Sequence, residues 1–185
     1  MSLVRFATLV LAVAVVTGGT ACAHPAASPQ PGSGAASVIR VVDGDTIRVR
    51  IRGADEPVRL IGIDTPETHG KGGLRECFGA EATDRMAALL PAGTAVRLVR
   101  DVEARDRYDR LLAYVYRVSD GLFVNLAMAE DGYATTLTYP PNVAHADELV
   151  AAVGVARLRQ RGLWQRCGSA DVPLSGSTTR AGAGG

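Results

Sequence analysis

Of the chain's 185 residues, those between an apolar leader and a low-complexity tail amount to about one ordinary domain, enough for a single true core. With 20 Lys and Arg against 19 Asp and Glu the formal net charge is +1, which excludes a protein that grips duplex nucleic acid by overall charge. Any anion binding must therefore be local, and since Lys71 is the only lysine, the arginine bias reads as composition rather than function.

Met1–Ala23 carries one charge, Arg5, then an apolar run from Phe6 to Val16 and the small residues Thr17 to Ala21, the pattern of an export signal too short for a typical membrane span. Thr20-Ala21-Cys22 resembles the end of a bacterial lipobox, although Gly19 stands where leucine is usual, and Cys22 is the favoured lipidation site. Cleavage by ordinary signal peptidase around Ala21-Cys22-Ala23 is the alternative. Residues 24–37 are rich in Pro, Ala, Gly and Ser without periodicity and read as a disordered tether, followed by a domain over 38–167.

Within the domain, Val38–Arg52 alternates around Asp43-Gly44, a hairpin signal, and Val58–Ile63 alternates again after a turn at Gly53–Pro57, giving three antiparallel strands. Glu67–Phe78, with Gly70, Gly72 and Gly73, reads as an exposed loop in which His69 is solvated. Gly79–Leu90 has helical spacing and stops at Pro91-Ala92-Gly93. Thr94–Val102 and Arg110–Val118 are two more strands, joined by a charged loop. Leu122–Asp131 and Asn142–Arg161 are helices ended by Gly132 and Gly162, and 168–185 is a disordered tail. The fold class expected is α+β, mainly β: a five-stranded Greek-key barrel covered by about three helices. With Cys22 assigned to processing, Cys77 and Cys167 remain as a pair in an exported chain, where a disulfide persists.

The chain is organised around Arg59-Leu60-Ile61-Gly62-Ile63-Asp64-Thr65-Pro66-Glu67. Read as one strand, it places Leu60, Gly62 and Asp64 on one face and Arg59, Ile61 and Ile63 on the other, until Pro66 ends the pairing and turns the carboxylates of Asp64 and Glu67 and the Thr65 carbonyl toward a common point. Hard oxygens gathered in this way belong to metal-site and phosphate chemistry, and Asp45 and Asp64 with the Thr65 carbonyl form the set that suits Ca²⁺ rather than a soft metal.

Three motifs in order, VxDGDT at Val41–Thr46, RLxGIDTPE at Arg59–Glu67 and DxYxRLLAYVY at Asp106–Tyr116, resemble the staphylococcal nuclease (thermonuclease) family over about Ser37–Trp164. The resemblance implies an OB-fold and a calcium-dependent nuclease acting on DNA, RNA or both and leaving 3′-phosphate and 5′-hydroxyl ends. It implies Asp45, Asp64 and Thr65 as metal ligands, supported by Asp43 and Thr46. Arg59 and Arg110 would act on the phosphate, Glu67 as general base, and Arg107, Tyr108 and Tyr139 as nucleotide contacts. Two departures bear on substrate preference: Leu137 stands where a base-contacting tyrosine is expected, and Asp109 replaces a glycine. The competing reading is an OB-fold nucleic-acid-binding module at the cell envelope without catalysis, but such a module has no use for Asp45, Asp64, Glu67, Arg59 and Arg110 together. The partner expected is nucleic acid, with a membrane met only through Cys22, and the chain is expected to be monomeric, exported, and envelope-anchored or secreted.

Overall fold

In the computed structural model the residues described are 36–68, 75–169 and 172. The leader with Cys22, nearly all of the tether, His69 with its neighbouring glycines, and most of the tail lie outside them.

Strand β1 (Ala36–Val41) pairs antiparallel with β2 (Thr46–Ile51), and β2 with β3 (Ala54–Leu60) from Ile51↔Ala54 to Thr46↔Arg59. Strand β4 (Gly62–Asp64) and helix α1 (Gly79–Leu89) follow, then β5 (Ala95–Val99) and β6 (Leu111–Arg117) as an antiparallel pair. Strand β6 lies parallel to β3 and β5 antiparallel to β1, so the order β1-β2-β3-β6-β5 closes into the barrel that the sequence implies. Helix α2 (Val124–Glu130), strand β7 (Thr135–Leu137), helix α3 (Ala146–Leu158) and the short helix α4 (Leu163–Arg166) complete the chain order.

Alternation fills the barrel. Ile47, Val49, Val58, Leu60, Val96 and Val115 are buried, and α1 adds Ala82, Met86 and Leu89 at the i, i+4, i+7 spacing of one helix face. Leu149, Val153 and Ala156 of α3 join Leu163 and Trp164 in the same core. Each such aliphatic side chain contributes about 1.5–3 kcal/mol on burial.

Several boundaries differ from the sequence reading. Strand β1 begins at Ala36, inside the segment assigned to the tether, because Ser37 pairs with both Arg50 and Ala95. The turn placed at Gly53–Pro57 is only Arg52-Gly53, whose positive φ values of 50° and 88° fit a two-residue type I′ hairpin. Pro57 sits within β3, where pairing to β6 starts only at Val58, so its missing N–H falls where the strand is still an edge on that side. The run to Ile63 is not one strand: it breaks at Ile61, and β4 pairs instead with β7, which the sequence reading did not include. The helix expected over Asn142–Arg161 is confined to α3, and α4 makes a fourth helix. Val172, within the expected tail, accepts a hydrogen bond from the Cys77 amide at 2.7 Å.

Cys77 and Cys167 form a disulfide with Cα atoms 6.0 Å apart and a sequence separation of 90, tying the entry to α1 to the end of α4. For a loop of this length the chain-entropy account gives about 4 kcal/mol. Reductant should therefore lower the melting temperature by on the order of 10 °C, and the double variant Cys77→Ser, Cys167→Ser should melt like the reduced protein and ignore reductant. Two reactive thiols in the native protein, denatured without reductant, would refute the bridge.

Candidate active site

The β1–β2 turn places the first carboxylate. The amide of Asp45 donates to Asp43 Oδ1 at 3.1 Å, and the Asp45 carbonyl accepts from the Leu60 amide at 2.8 Å, so the turn is fastened to the end of β3. Gly44 is required here for space: a Cβ would come within 2.6 Å of Thr65 Oγ1 and 2.9 Å of the Ala82 methyl. The turn can therefore lie against the Thr65 side chain, and Asp45 is buried at 5% exposure.

Four donors converge on that carboxylate. Thr46 Oγ1 donates to Oδ1 at 3.0 Å, while Oδ2 accepts from the Thr65 amide at 3.0 Å and the Thr65 hydroxyl at 3.2 Å, and pairs with Arg59 Nη2 at 3.0 Å. The same Nη2 donates to Asp64 Oδ1 at 2.7 Å. Arg59 Nη1 donates to the carbonyls of Leu60 at 2.9 Å and Ile63 at 2.8 Å. The break at Ile61 makes this possible. Gly62 has φ of 82° and packs under Leu149, where a Cβ would meet the leucine Cδ1, so the chain folds back and turns Asp64 toward Arg59 instead of alternating away from it.

The turn is held by a residue that the sequence reading missed. Asn125 is fully buried on α2; its Nδ2 donates to the Ile61 carbonyl at 2.8 Å and its Oδ1 accepts from the Val115 amide at 2.9 Å. An asparagine between Val124 and the apolar run Leu126–Ala129 was the available signal, since a buried amide must find partners.

Electrostatically the site is short of positive charge. Burial pushes the Asp45 carboxyl up to about 7; Arg59 pulls it down, and Asp43 and Asp64 push it further up. Glu67, at the exposed exit of the motif, is raised by partial burial and then by the carboxylates of Asp43, Asp64 and Glu76, with Arg59 opposing. Its backbone is pinned to Glu76: its amide donates to Glu76 Oε2 at 2.8 Å and its carbonyl accepts from the Glu76 amide at 2.9 Å. Among the described residues no group of three or more His, Cys, Asp or Glu forms a metal cluster, so a cation here would rest on Asp45, Asp64 and the Thr65 carbonyl, completed by water. That donor set fits calcium, which accepts mixed carboxylate, carbonyl and water oxygens in loose geometry. Two carboxylates sharing one guanidinium nitrogen show that the site already gathers around positive charge.

Arg110 is set by Asp106. Its Nε donates to Asp106 Oδ2 at 2.7 Å, and the amides of Arg110 and Tyr108 donate to Oδ1 at 3.0 and 2.9 Å. Burial alone would raise Asp106, but these bonds outweigh it and hold the carboxyl below its usual range. Arg107 lies over the Tyr108 ring at 4.7 Å and donates to its hydroxyl at 2.6 Å. Asp109 takes the left-handed conformation, φ 63°, and its exposed carboxylate turns toward Arg105 at 3.6 Å.

Arg59, Arg107, Tyr108, Arg110 and Tyr139, singled out separately in the sequence, line one cleft of about 380 Å³, with Leu137 on its wall. Tyr108 and Tyr139 are 64% and 75% exposed, so neither is a packing residue. Asp45, Asp64 and Thr65 do not line this cleft and connect to it through Arg59.

The family model described as Staphylococcal nuclease homologue matches residues 57–166. The chain is 40% identical over 129 residues to the thermonuclease of Staphylococcus intermedius, covering 70% of this chain and 75% of that protein. Identity to the thermonuclease of Staphylococcus hyicus is 36% over 127 residues, covering 69% and 73%. Endonuclease YncB of Bacillus subtilis (strain 168) is 32% identical over 130 residues, covering 70% of this chain and 61% of its own length. The barrel, the motif geometry and these matches agree: the chain belongs to the staphylococcal nuclease family.

Proposed function

We propose that the protein is a calcium-dependent nuclease that hydrolyses phosphodiester bonds of DNA, RNA or both, leaving 3′-phosphate and 5′-hydroxyl ends. The observation that carries this reading is the convergence of the Asp45 and Asp64 carboxylates on Arg59 beside a cleft that also holds Arg110 and two exposed tyrosines. Calcium bound there would supply Lewis-acid chemistry toward the phosphate. Asp45, Asp64 and the Thr65 carbonyl would hold it, with Asp43 and Thr46 fixing the turn.

The chain's own residues divide the remaining work. Glu67 takes the proton of the attacking water, its proton affinity raised by partial burial and by the neighbouring carboxylates. Arg110 commits Nε to Asp106 and lies over the Tyr108 ring at 5.5 Å, while its terminal nitrogens make no hydrogen bond among the described residues, so its fork is available to a phosphate. Arg59 differs: both its terminal nitrogens are engaged, so its first duty is to neutralise Asp45 and Asp64, and its action on the phosphate is shared with that duty. Tyr108, Arg107 and Tyr139 hold the nucleotide.

Single substitutions separate these roles. Glu67→Gln should lower kcat by ~10²–10⁴ while calcium affinity measured by calorimetry changes little; nearly full activity would remove the base assignment. Asp45→Ala or Asp64→Ala should abolish activity and weaken calcium binding, and Arg110→Lys should lower kcat more than it changes KM. A variant set that still binds single-stranded nucleic acid but shows no cleavage even in the parent protein would favour the binding-module alternative.

The carboxylate crowding has a pH signature. Because Asp45 is raised to about 7 from 3.8, the folded metal-free protein retains a proton that the unfolded chain has already released between those values. Metal-free stability should therefore fall as pH rises from about 5 to about 7 and level off above, and calcium should flatten the slope. Melts in chelator and in Ca²⁺ across pH 5–8 test it; a chelator curve that rises with pH counts against a burdened site.

We also propose that the protein is exported and carries lipid at Cys22, supported by the apolar leader and the cysteine at its end. Mass spectrometry of the mature protein should find a lipidated N-terminal Cys22 in the membrane fraction, whereas an unmodified N-terminus at Ala23 or beyond in culture supernatant indicates ordinary secretion.

A further inference from the structure

The cleft contains a carboxylate that the proposed reaction does not use. Glu103 lines it together with Asn142 and Tyr139, and its side chain makes no hydrogen bond or ion pair among the described residues. The other carboxylate on the wall, Asp106, is fully occupied by Arg110 and the Tyr108 amide. Glu103 is exposed, but its backbone is fixed. Buried Asn142 holds it at two points, accepting from the Glu103 amide at 2.8 Å and donating to the Glu103 carbonyl at 3.3 Å. The Asn142 amide in turn donates to the Tyr139 carbonyl at 3.0 Å, and the next residue, Ala104, accepts from the Leu112 amide of β6 at 2.9 Å. The backbone of Glu103 is thus fixed to both the tyrosine-bearing segment and the barrel.

The cleft consequently has two chemically opposed parts. Its arginines offer only donors and suit phosphate; Glu103, beside Tyr139, offers only acceptors and repels phosphate. A nucleotide that places its phosphate on Arg59 and Arg110 and its base against the exposed tyrosine rings turns a base edge, not an anion, toward this part of the wall. Adenine, cytosine and guanine present amino groups that a carboxylate can accept from, whereas thymine presents two carbonyls flanking a single N–H.

We propose that Glu103 is a specificity-determining residue, selecting for nucleotides whose base carries an exocyclic amino group over thymidine nucleotides. This rests on the nuclease reading of the cleft. Glu103 takes no part in the chemistry, so its substitution should move substrate choice and KM rather than kcat.

The test uses the mature protein and its Glu103→Ala and Glu103→Gln variants with Ca²⁺, titrated calorimetrically with dAMP, dCMP, dGMP and dTMP, and assayed on single-stranded oligonucleotides differing only in the bases around one cleavable position. The parent protein should bind the amino-bearing nucleotides ~10-fold more tightly than dTMP. Glu103→Ala should reduce that ratio to within about twofold. Glu103→Gln, able to donate as well as accept, should improve dTMP while weakening the others, with kcat on the preferred oligonucleotide unchanged in both variants. A parent protein that binds all four nucleotides equally, binds none, or keeps its ratio in both variants overturns the assignment. A parent protein that shows the binding ratio but cuts no oligonucleotide overturns the nuclease reading instead and leaves the role of Glu103 in recognition standing.

Discussion

A buried carboxylate needs a counter-charge, and the arrangement of this site follows from how Asp45 obtains one. Its side chain is nearly inaccessible and accepts from two threonine hydroxyls and one amide, but neutral donors alone do not offset the loss of water around a carboxylate. Arg59 completes the balance. Asp64 then shares the same guanidinium nitrogen, so one positive charge serves two carboxylates, with Asp43 and Glu67 close enough to add to the deficit. Among these side chains the site therefore holds more carboxylates than cations.

Arg59 can act in this way because the chain after β3 is prevented from continuing as a strand. The break at Ile61 and the left-handed Gly62 bring the Leu60 and Ile63 carbonyls to Nη1, and Asn125 holds the intervening carbonyl from inside the molecule. Replacing Gly62 by any other residue would both strain the backbone and collide with Leu149, linking the packing of α3 directly to the orientation of Asp64. The barrel therefore contributes more than a platform: α2 and α3 determine how the motif bends.

What could be read from the sequence follows the same division. Strands with one buried face announce themselves by alternation, so β1, β2, β5, β6 and the first helix were legible to within a few residues, and Cys77 with Cys167 followed from counting. The stretch Arg59–Asp64 was misread as one strand because Ile61 and Ile63 are apolar on both readings; the difference lies in the positive φ of Gly62 and in β7, a three-residue partner too short to show periodicity. Asp43-Gly44 was read as a turn signal, but the glycine's requirement is closeness to Thr65 and Ala82, a tertiary contact that no local pattern encodes. The cleft residues were recognisable only as separate motifs, and their meeting is a product of the parallel β3–β6 pairing, which brings Arg59 alongside Leu112 and so sets the Asp106–Arg110 loop on the same cleft as Arg59.

The near-zero net charge is consistent with this local organisation. A strongly basic surface would attract polyanions everywhere and add little at the point of reaction, because exposed charges are screened beyond about a Debye length. Here the cations near the cleft are each matched or oriented by a partner: Arg59 by two aspartates, Arg110 by Asp106, Arg107 by the Tyr108 ring and hydroxyl. An arginine already held in place gives up less conformational freedom when a phosphate arrives, so fixed orientation can substitute for excess charge. The cations of the cleft are thus held by fixed partners rather than by an excess of positive charge.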